Sequence, residues 1–335
     1  MAWSLTHAKL HTLLRRKILL PRTSRILMAV SGGQDSLCMA RLLIDMQPHW
    51  DWQLGLVHCD HRWRDDSEAN AAHVLQLAAD WEVPAWCVVA ERSLKSEAEA
   101  RTWRYESIAA IAREQCYTHV TCGHTMSDRA ETILYNLTRG AGIEGVATLP
   151  WQRPIDSLAP PVMIVRPLLN MSRGETGDFC QQGGIPVWED STNQSLELRR
   201  NRIRLELLPY LQKHFNPQVE RSLAQFLETT AADVDYLESQ TTSIYKEVVY
   251  SDVSTATWKI HLCLADQPLA IQRRVVKRVL RQAARATVSF SHVEKVVACL
   301  RSPNASQSDS LPNGYIAQVC KPFLIIKPLG SENIS

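Results

Sequence analysis

Nothing in this chain has the pattern of a metal finger or a disulfide scaffold. Its nine cysteines are scattered, with no Cys-x-x-Cys pair and no Cys/His cluster at zinc spacing, so they read as reduced thiols. No apolar run is long enough to span a bilayer, and the mixed N-terminus lacks the order of a signal peptide. The chain therefore reads as cytoplasmic, with no membrane partner. Gly-Lys-Ser/Thr is missing from its glycine-rich turn, which excludes a Walker A loop. Internal repeats are missing too. The first 34 residues hold Lys9, Arg15, Arg16, Lys17, Arg22 and Arg25 but no carboxylate, the first being Asp35. A net charge of +2 over 335 residues is too small to imply a nucleic-acid partner by itself. With 45% hydrophobic and 21% charged residues, the composition is that of a soluble globular protein of about two domains.

What is present begins at Ile26–Ser36, ILMAVSGGQDS. Ile26 to Val30 read as a short buried strand, and from Leu37 apolar positions recur at helical spacing, so strand, tight glycine turn and helix follow one another. That arrangement aims loop N–H groups and a helix N-terminus at one point, as phosphate binding requires. Gly32 and Gly33 let the backbone approach an anion, and Ser31 and Ser36 add hydroxyls.

An amphipathic helix is expected over 5–19, its cationic end (Arg15, Arg16, Lys17) serving the helix dipole or RNA. Strands are expected at Gln53–His58, Ala85–Ala90, Thr118–Gly123 and Val162–Val165. Between them, helices are expected at Ser67–Trp81 and Glu97–Cys116. Alternation of this kind predicts an α/β fold with a parallel sheet covered on both faces, its ligands gathered at the carboxyl ends of the strands. His58-Cys59-Asp60-His61-Arg62 and Gly123-His124 stand at two such ends.

Arg101 and Arg104 share a helical face, as solvated charges or as anion ligands. Asp128 and Glu131 also share a face at a helix start, either complementing the dipole or holding a hard cation such as Mg²⁺. That helix ends at Arg139-Gly140. Ser172 with Glu175 has capping-box spacing before a helix to Gln182.

Further on, Trp188–Leu211 packs Arg199, Arg200, Arg202 and Arg204 beside Asn193 and Asn201, a pattern that suits RNA phosphates or a solvated basic helix. A long helical stretch covers Val219–Tyr245. Ile271–Arg285 alternates apolar pairs with Arg273, Arg274, Lys277, Arg278, Arg281 and Arg285, a face for RNA, a membrane surface or water. Tyr315–Ile326 reads as strand-like pieces. The domain boundary is expected near residue 215, giving an α/β domain over 1–215 and a smaller, mainly helical domain over 216–335.

The ordered segments AVSGGQDS, His58/His61, EAEARTWRY, GHTMSDRAETILYNLTRGAGIEGVATLP, RPLL (Arg166–Leu169) and DSTNQSLELRRNRIRLELLP resemble the tRNA(Ile)-lysidine synthetases, of the PP-loop (N-type ATP pyrophosphatase) superfamily, over residues 25 to about 215. LAQFLETTAADVDYL (Leu223–Leu237) is similar to that family's small middle domain. Departures are Thr125 in place of a second histidine after Gly123-His124, Arg129 in place of glutamine, and HCDHRWR in place of His-x-His-Gly. The length resembles the family's shorter architecture.

The resemblance implies a parallel-sheet PP-loop fold, adenine nucleotide α-hydrolase-like, and a ligase using ATP, Mg²⁺ and free L-lysine. Its substrate would be tRNA(Ile) with a CAU anticodon, whose wobble cytidine becomes lysidine, changing codon reading from AUG to AUA. It implies ATP contacts from Ser31, Gly32, Gly33, Gln34, Asp35, Ser36, His58, Gly123 and His124. Catalytic roles would fall to Asp35, Arg101, Arg104, Asp128 and Glu131, with Asp35, Asp128 and Glu131 on Mg²⁺. Contacts to tRNA would come from Arg139, Arg199, Arg200, Asn201, Arg204, Arg274, Lys277, Arg278 and Arg281, and a homodimer stays open. Within the superfamily a tRNA thiolase is the nearest rival, one that commonly uses paired cysteines. A non-catalytic RNA-binding protein is the rival from another class.

Overall fold

The structure, a computed structural model, describes residues 3–147, 149–188, 196, 199–252 and 255–329. The chain divides into two compact units, Met1–Glu228 and Thr229–Ser335.

In the first unit the chain runs α1 (Leu5–Lys17), β1 (Arg25–Ala29), α2 (Gln34–Trp50), β2 (Gln53–Asp60), α3 (Ser67–Asp80), β3 (Ala85–Val89), α4 (Glu97–Glu114) and β4 (His119–Cys122). It continues through α5 (Met126–Thr138), the short α6 (Ile143–Val146), β5 (Gln152–Pro154), β6 (Met163–Val165) and α7 (Arg173–Gln182). After that come α8 (Arg199–Arg202), a π-helical turn at Ile203–Leu207, α9 (Leu208–His214) and the start of α10 (Val219–Val248). The sheet order is β3-β2-β1-β4-β6-β5. All neighbours are parallel except β5, which pairs antiparallel with β6. The α/β fold with a parallel sheet is the one expected from the alternating pattern. β5 is an addition, three residues long and inside the proline-rich loop.

Side chains of β1 alternate between two cores. Ile26 and Met28 join the cluster built on α1, α2, α3 and α7, whereas Leu27 joins that of α4, β4 and β6. A strand buried on both faces needs apolar residues at every position, which is why Ile26–Val30 is continuous rather than alternating. From β1 the chain moves outward to β2 and β3, then returns to the other side of β1 as β4. The crevice for a ligand opens where the order reverses, at the carboxyl ends of β1 and β4. The start of α7 has the capping box expected of it. Ser172 accepts the Glu175 N–H, and Glu175 caps back to the Ser172 N–H.

The second unit contains the rest of α10, β7 (Val249–Asp252), β8 (Thr257–His261), α11 (Leu269–Ala284), α12 (Phe290–Cys299), β9 (Tyr315–Cys320) and β10 (Phe323–Pro328). Its four strands form an antiparallel sheet ordered β7-β8-β10-β9. Val275, Val276, Val279 and Leu280 of α11 bury against Ile260, Val319, Leu324 and Ile326 of that sheet. Beyond the helices, then, this unit carries a sheet whose first two strands the sequence pattern does not mark.

Candidate active site

The turn after β1 is held by its own hydroxyls. Ser31 N–H donates to Ser36 Oγ at 3.1 Å, Ser36 Oγ–H donates to Gly33 O at 2.9 Å, and the two hydroxyl oxygens lie 3.1 Å apart. Gly32 sits at φ +90°, and a Cβ there would come within 2.2 Å of Asn70 Oδ1. Asn70, buried on α3, donates to Ser31 O at 3.0 Å. Gly33 is the N-cap of α2, so the unpaired N–H groups of the first helical turn point out of this bend.

From the far side of the crevice Gly123 closes on the same turn. A Cβ at Gly123 would meet Ser36 N and Cα at 2.8 Å, so only glycine lets β4 approach this nearly. His58, buried in β2, donates from Nδ1 to Val30 O at 2.8 Å and so steadies the chain entering the turn. Burial pushes the His58 imidazole below its ordinary range. Burial likewise pushes His124 down to about 4, so both rings are neutral near pH 7. His124 Nδ1 is buried without a hydrogen-bond partner among the described residues.

Asp35 faces α7. Thr176 Oγ1–H donates to Asp35 Oδ1 at 2.5 Å, and Arg173 Nη1 lies 3.6 Å from Oδ2. Burial raises the Asp35 carboxyl above its usual range, outweighing Arg173 and the Thr176 hydrogen bond, and the Asp128 charge adds to the rise. The Gln34 side chain turns away from the bend and donates to Arg173 O at 2.7 Å and Thr176 Oγ1 at 3.1 Å. Only its backbone remains directed at a ligand.

Asp128 and Glu131 start α5, as expected, and Arg204 reaches both, its Nη2 lying 3.9 Å from Asp128 Oδ1. Asp128 Oδ2 accepts the Thr125 N–H at 2.8 Å and the Thr125 hydroxyl at 2.9 Å in a capping box. Burial alone would raise Asp128, yet neighbouring His124, the Thr125 N–H and Arg200 bring it net below the usual carboxylate range. Glu131 is fully buried. Arg204 donates to its two oxygens at 2.6 and 2.9 Å, and Arg200 Nε stands 3.4 Å away. Among the described residues no three His, Cys, Asp or Glu side chains gather as a metal site. Asp35, Asp128 and Glu131 are thus not brought together as a set of three, because the arginines of α8 and the π turn occupy Glu131. Asp35 with Asp128 still fits a Mg²⁺ that takes one or two carboxylates and completes its shell from nucleotide phosphates.

Arg101 and Arg104 are exposed on α4 and form no ion pair with a described residue. Arg101 lies over the Tyr105 ring at 5.2 Å, and Arg153 lies over the same ring at 5.2 Å. The charge of Arg104 reaches His58, and that of Arg101 reaches His124. Both arginines are therefore solvent-exposed yet near enough to the strand ends for their charge to act there.

The residues expected to meet tRNA divide in two. Arg139 is exposed with its guanidinium over Tyr135, and Arg199 and Arg281 are exposed. Arg200 and Arg204 turn inward to Glu131, Arg200 also reaching Thr132 Oγ1 at 2.9 Å, and Asn201 is buried. Arg278 pairs with Glu238, while Arg274 and Lys277 are half-buried on α11. Asn193 falls outside the described residues.

Arg173, Thr176, Asn70 and the Trp188 N–H, which donates to Gly32 O at 3.0 Å, complete the turn's surroundings. Only the capping box of α7 hinted at the first two. Nothing in the sequence pattern singled out the others.

The PP-loop domain family matches residues 5–211. A tRNA(Ile)-lysidine synthase from Nostoc sp. is 46% identical over 338 residues, covering 98% of this chain and 98% of that protein. Another, from Thermosynechococcus vestitus, is 46% identical over 328 residues, covering 98% and 93%. Among solved structures, a U34-tRNA thiolase from Methanococcus maripaludis is similar with a TM-score of 0.57 at 16% identity, covering 68% of this chain and 78% of that one. At that identity the likeness is one of fold.

Proposed function

The chain belongs to the tRNA(Ile)-lysidine synthases of the PP-loop family, and from that premise we propose how its residues divide the work. The enzyme is a ligase forming a carbon–nitrogen bond. It joins lysine to C2 of the wobble cytidine in the CAU anticodon of tRNA(Ile), at the expense of ATP. In the first step the cytosine 2-oxygen attacks the α-phosphorus and pyrophosphate leaves. In the second the lysine ε-amine attacks C2 and AMP departs with the oxygen.

One observation carries the division of roles, namely the Ser31–Ser36 turn locked by its hydroxyls and roofed by Gly123. We assign the β- and γ-phosphates to the Gly32, Gly33 and Gln34 backbone with the Ser31 and Ser36 hydroxyls. Arg101 and Arg104 then lie on the side where charge develops on the α-phosphate. Asp35, and Asp128 beside it, would hold Mg²⁺, which would neutralise phosphate charge when bound. A lysine ammonium with a pKa of about 10.4 must lose a proton before it attacks. Asp35 would alternatively serve that transfer when it is not on the metal, since burial raises its proton affinity. Exposed Arg139, Arg199 and Arg281 are the groups left to meet tRNA phosphates, Arg281 being the one that the second unit contributes as a tRNA-binding domain. A cytoplasmic location, where tRNA and ATP meet, fits the nine free cysteines.

The test is incubation with ATP, labelled lysine and CAU-anticodon transcripts. Label in the tRNA(Ile) transcript, with AMP and pyrophosphate released, is the expected result. ADP and orthophosphate without AMP would overturn the reading.

A further inference from the structure

Where β2 ends, the chain makes a tight bend that the ATP-binding assignment leaves unexplained. Asp60, buried, accepts the Arg62 N–H at 2.8 Å, and Arg62 adopts φ +54°. The bend throws Trp63 outward, 45% exposed. Its indole N–H donates to Leu94 O at 3.1 Å, so one edge is pinned. His61 stacks against it, with ring centroids 5.2 Å apart and planes 25° from parallel. Trp103 of α4 lies tilted to His61, with ring centroids 6.4 Å apart. Burial and the nearby Arg104 push the His61 imidazole down to about 4. It is therefore an uncharged ring near pH 7, one that can accept from Arg104 Nη2 at 3.4 Å.

Trp63 belongs to none of the buried apolar clusters of this unit, although Trp103 packs against Ala90, Leu94 and Ala100. An exposed indole that is held by one edge and stacked on a neutral imidazole is preorganised for a flat ligand. Arg104 of α4 reaches His61, and Arg101 stands three residues earlier on the same helix, neither ion-paired with a described residue. Aromatic faces with adjacent arginines are what unpaired bases and their phosphates recognise. The location fits as well, since the charge of Arg104 also reaches His58, one bond from the residue that enters the phosphate turn.

We propose that His61, Trp63 and Trp103 form a stacking platform for an unpaired base of the anticodon loop adjacent to the target cytidine. The proposal rests on the reading above, that this enzyme acts on the wobble cytidine. Presenting that cytidine to ATP unstacks it from its neighbours, and the platform replaces the lost stacking.

The experiment compares wild type with Trp63→Ala and Trp63→Phe, reading tRNA KM, ATP KM and kcat in lysidine formation. It uses normal CAU transcripts and transcripts abasic at either neighbour of the cytidine. Trp63→Ala should raise tRNA KM roughly tenfold, the scale of one base stacked on an aromatic ring. ATP KM should stay unchanged, and Trp63→Phe should recover most of the loss. With the correct neighbour abasic, Trp63→Ala should add nothing further. A rise in ATP KM instead would assign the platform to adenine, and an unchanged tRNA KM would remove it altogether. Either result overturns the proposal. Should Trp63→Ala not fold, Trp63→Leu, apolar but without a π face, carries the same comparison. Failure of wild type to form lysidine on any transcript would sink the functional reading instead, a result plainly different from a wild type that turns over and variants that match it.

Discussion

Arg204 grips Glu131 with two hydrogen bonds, Nε to one carboxylate oxygen at 2.6 Å and Nη2 to the other at 2.9 Å. The carboxylate is fully buried, and Arg204 is 19% exposed. This pair fastens the basic segment to α5, where Ile203 and Leu208 pack against Ala130 and Leu134. Glu131→Ala would strip that guanidinium of both these hydrogen bonds and leave it Asp128 Oδ1 at 3.9 Å. The loss should be about 3 kcal/mol, toward the low end for breaking a buried pair because Arg204 keeps some water and a second carboxylate. A urea titration should show the midpoint falling. Glu131→Gln, which keeps one acceptor, should fall less. An undiminished midpoint with lost activity would assign Glu131 to the chemistry instead.

Gly123→Ala should disarm the phosphate turn while leaving the fold in place. The new methyl meets the backbone of Ser36 and cannot rotate away. A displacement of a few tenths of an ångström to 1 Å at a reacting centre costs about 100-fold. Pyrophosphate release in the presence of tRNA should drop on that scale, with the circular dichroism spectrum retained. Wild-type release would mean that the turn does not hold the leaving group.

Asp35→Asn should separate stability from activity. Because burial raises the Asp35 carboxyl, the folded protein binds this proton more tightly than the unfolded chain does. Its ionised form therefore costs stability above the folded pKa, and that cost disappears as pH falls to the unfolded value. Removing the charge should raise the melting temperature at pH 8 while cutting lysidine formation by about 100-fold or more, the range for a group that moves a proton. Full activity would exclude Asp35 from the chemistry.

His61 and His124 predict the acid limit of stability. Burial lowers both from an ordinary 6.5 to about 4. Between those values the unfolded chain takes up protons that the folded chain refuses. The stabilisation is complete above pH 6.5 and lost as pH falls toward 4. Urea midpoints at pH 7.5 and 5 should differ for wild type and differ less for His124→Asn. Equal differences in the two proteins would show that His124 takes up its proton without strain.

What the sequence made legible follows from local rules. Ile26–Ser36 announces its strand, turn and helix because each obeys a short-range requirement, and Ser172 with Glu175 announces α7 in the same way. Three-residue spacing placed Asp128 and Glu131 on one face. It could not say what covers that face, because Arg204 arrives from 73 positions later. Charge counts marked Arg200 and Arg204 as basic without showing that they turn inward. β7 and β8 were hidden for a related reason. Short strands with polar positions such as Ser251, Asp252 and Lys259 give little signal alone: β8 gains its order from β10, far away in sequence, and β7 gains its own from β8.

The phosphate turn is also less portable than its six letters suggest. Gln34 and Asp35 lean on Thr176, the Gly32 carbonyl takes the Trp188 N–H, and the Ser31 carbonyl takes Asn70. A hexapeptide whose shape is supplied by three remote segments cannot be grafted onto another strand and helix with its grip intact, since the scaffold would have to be moved with it.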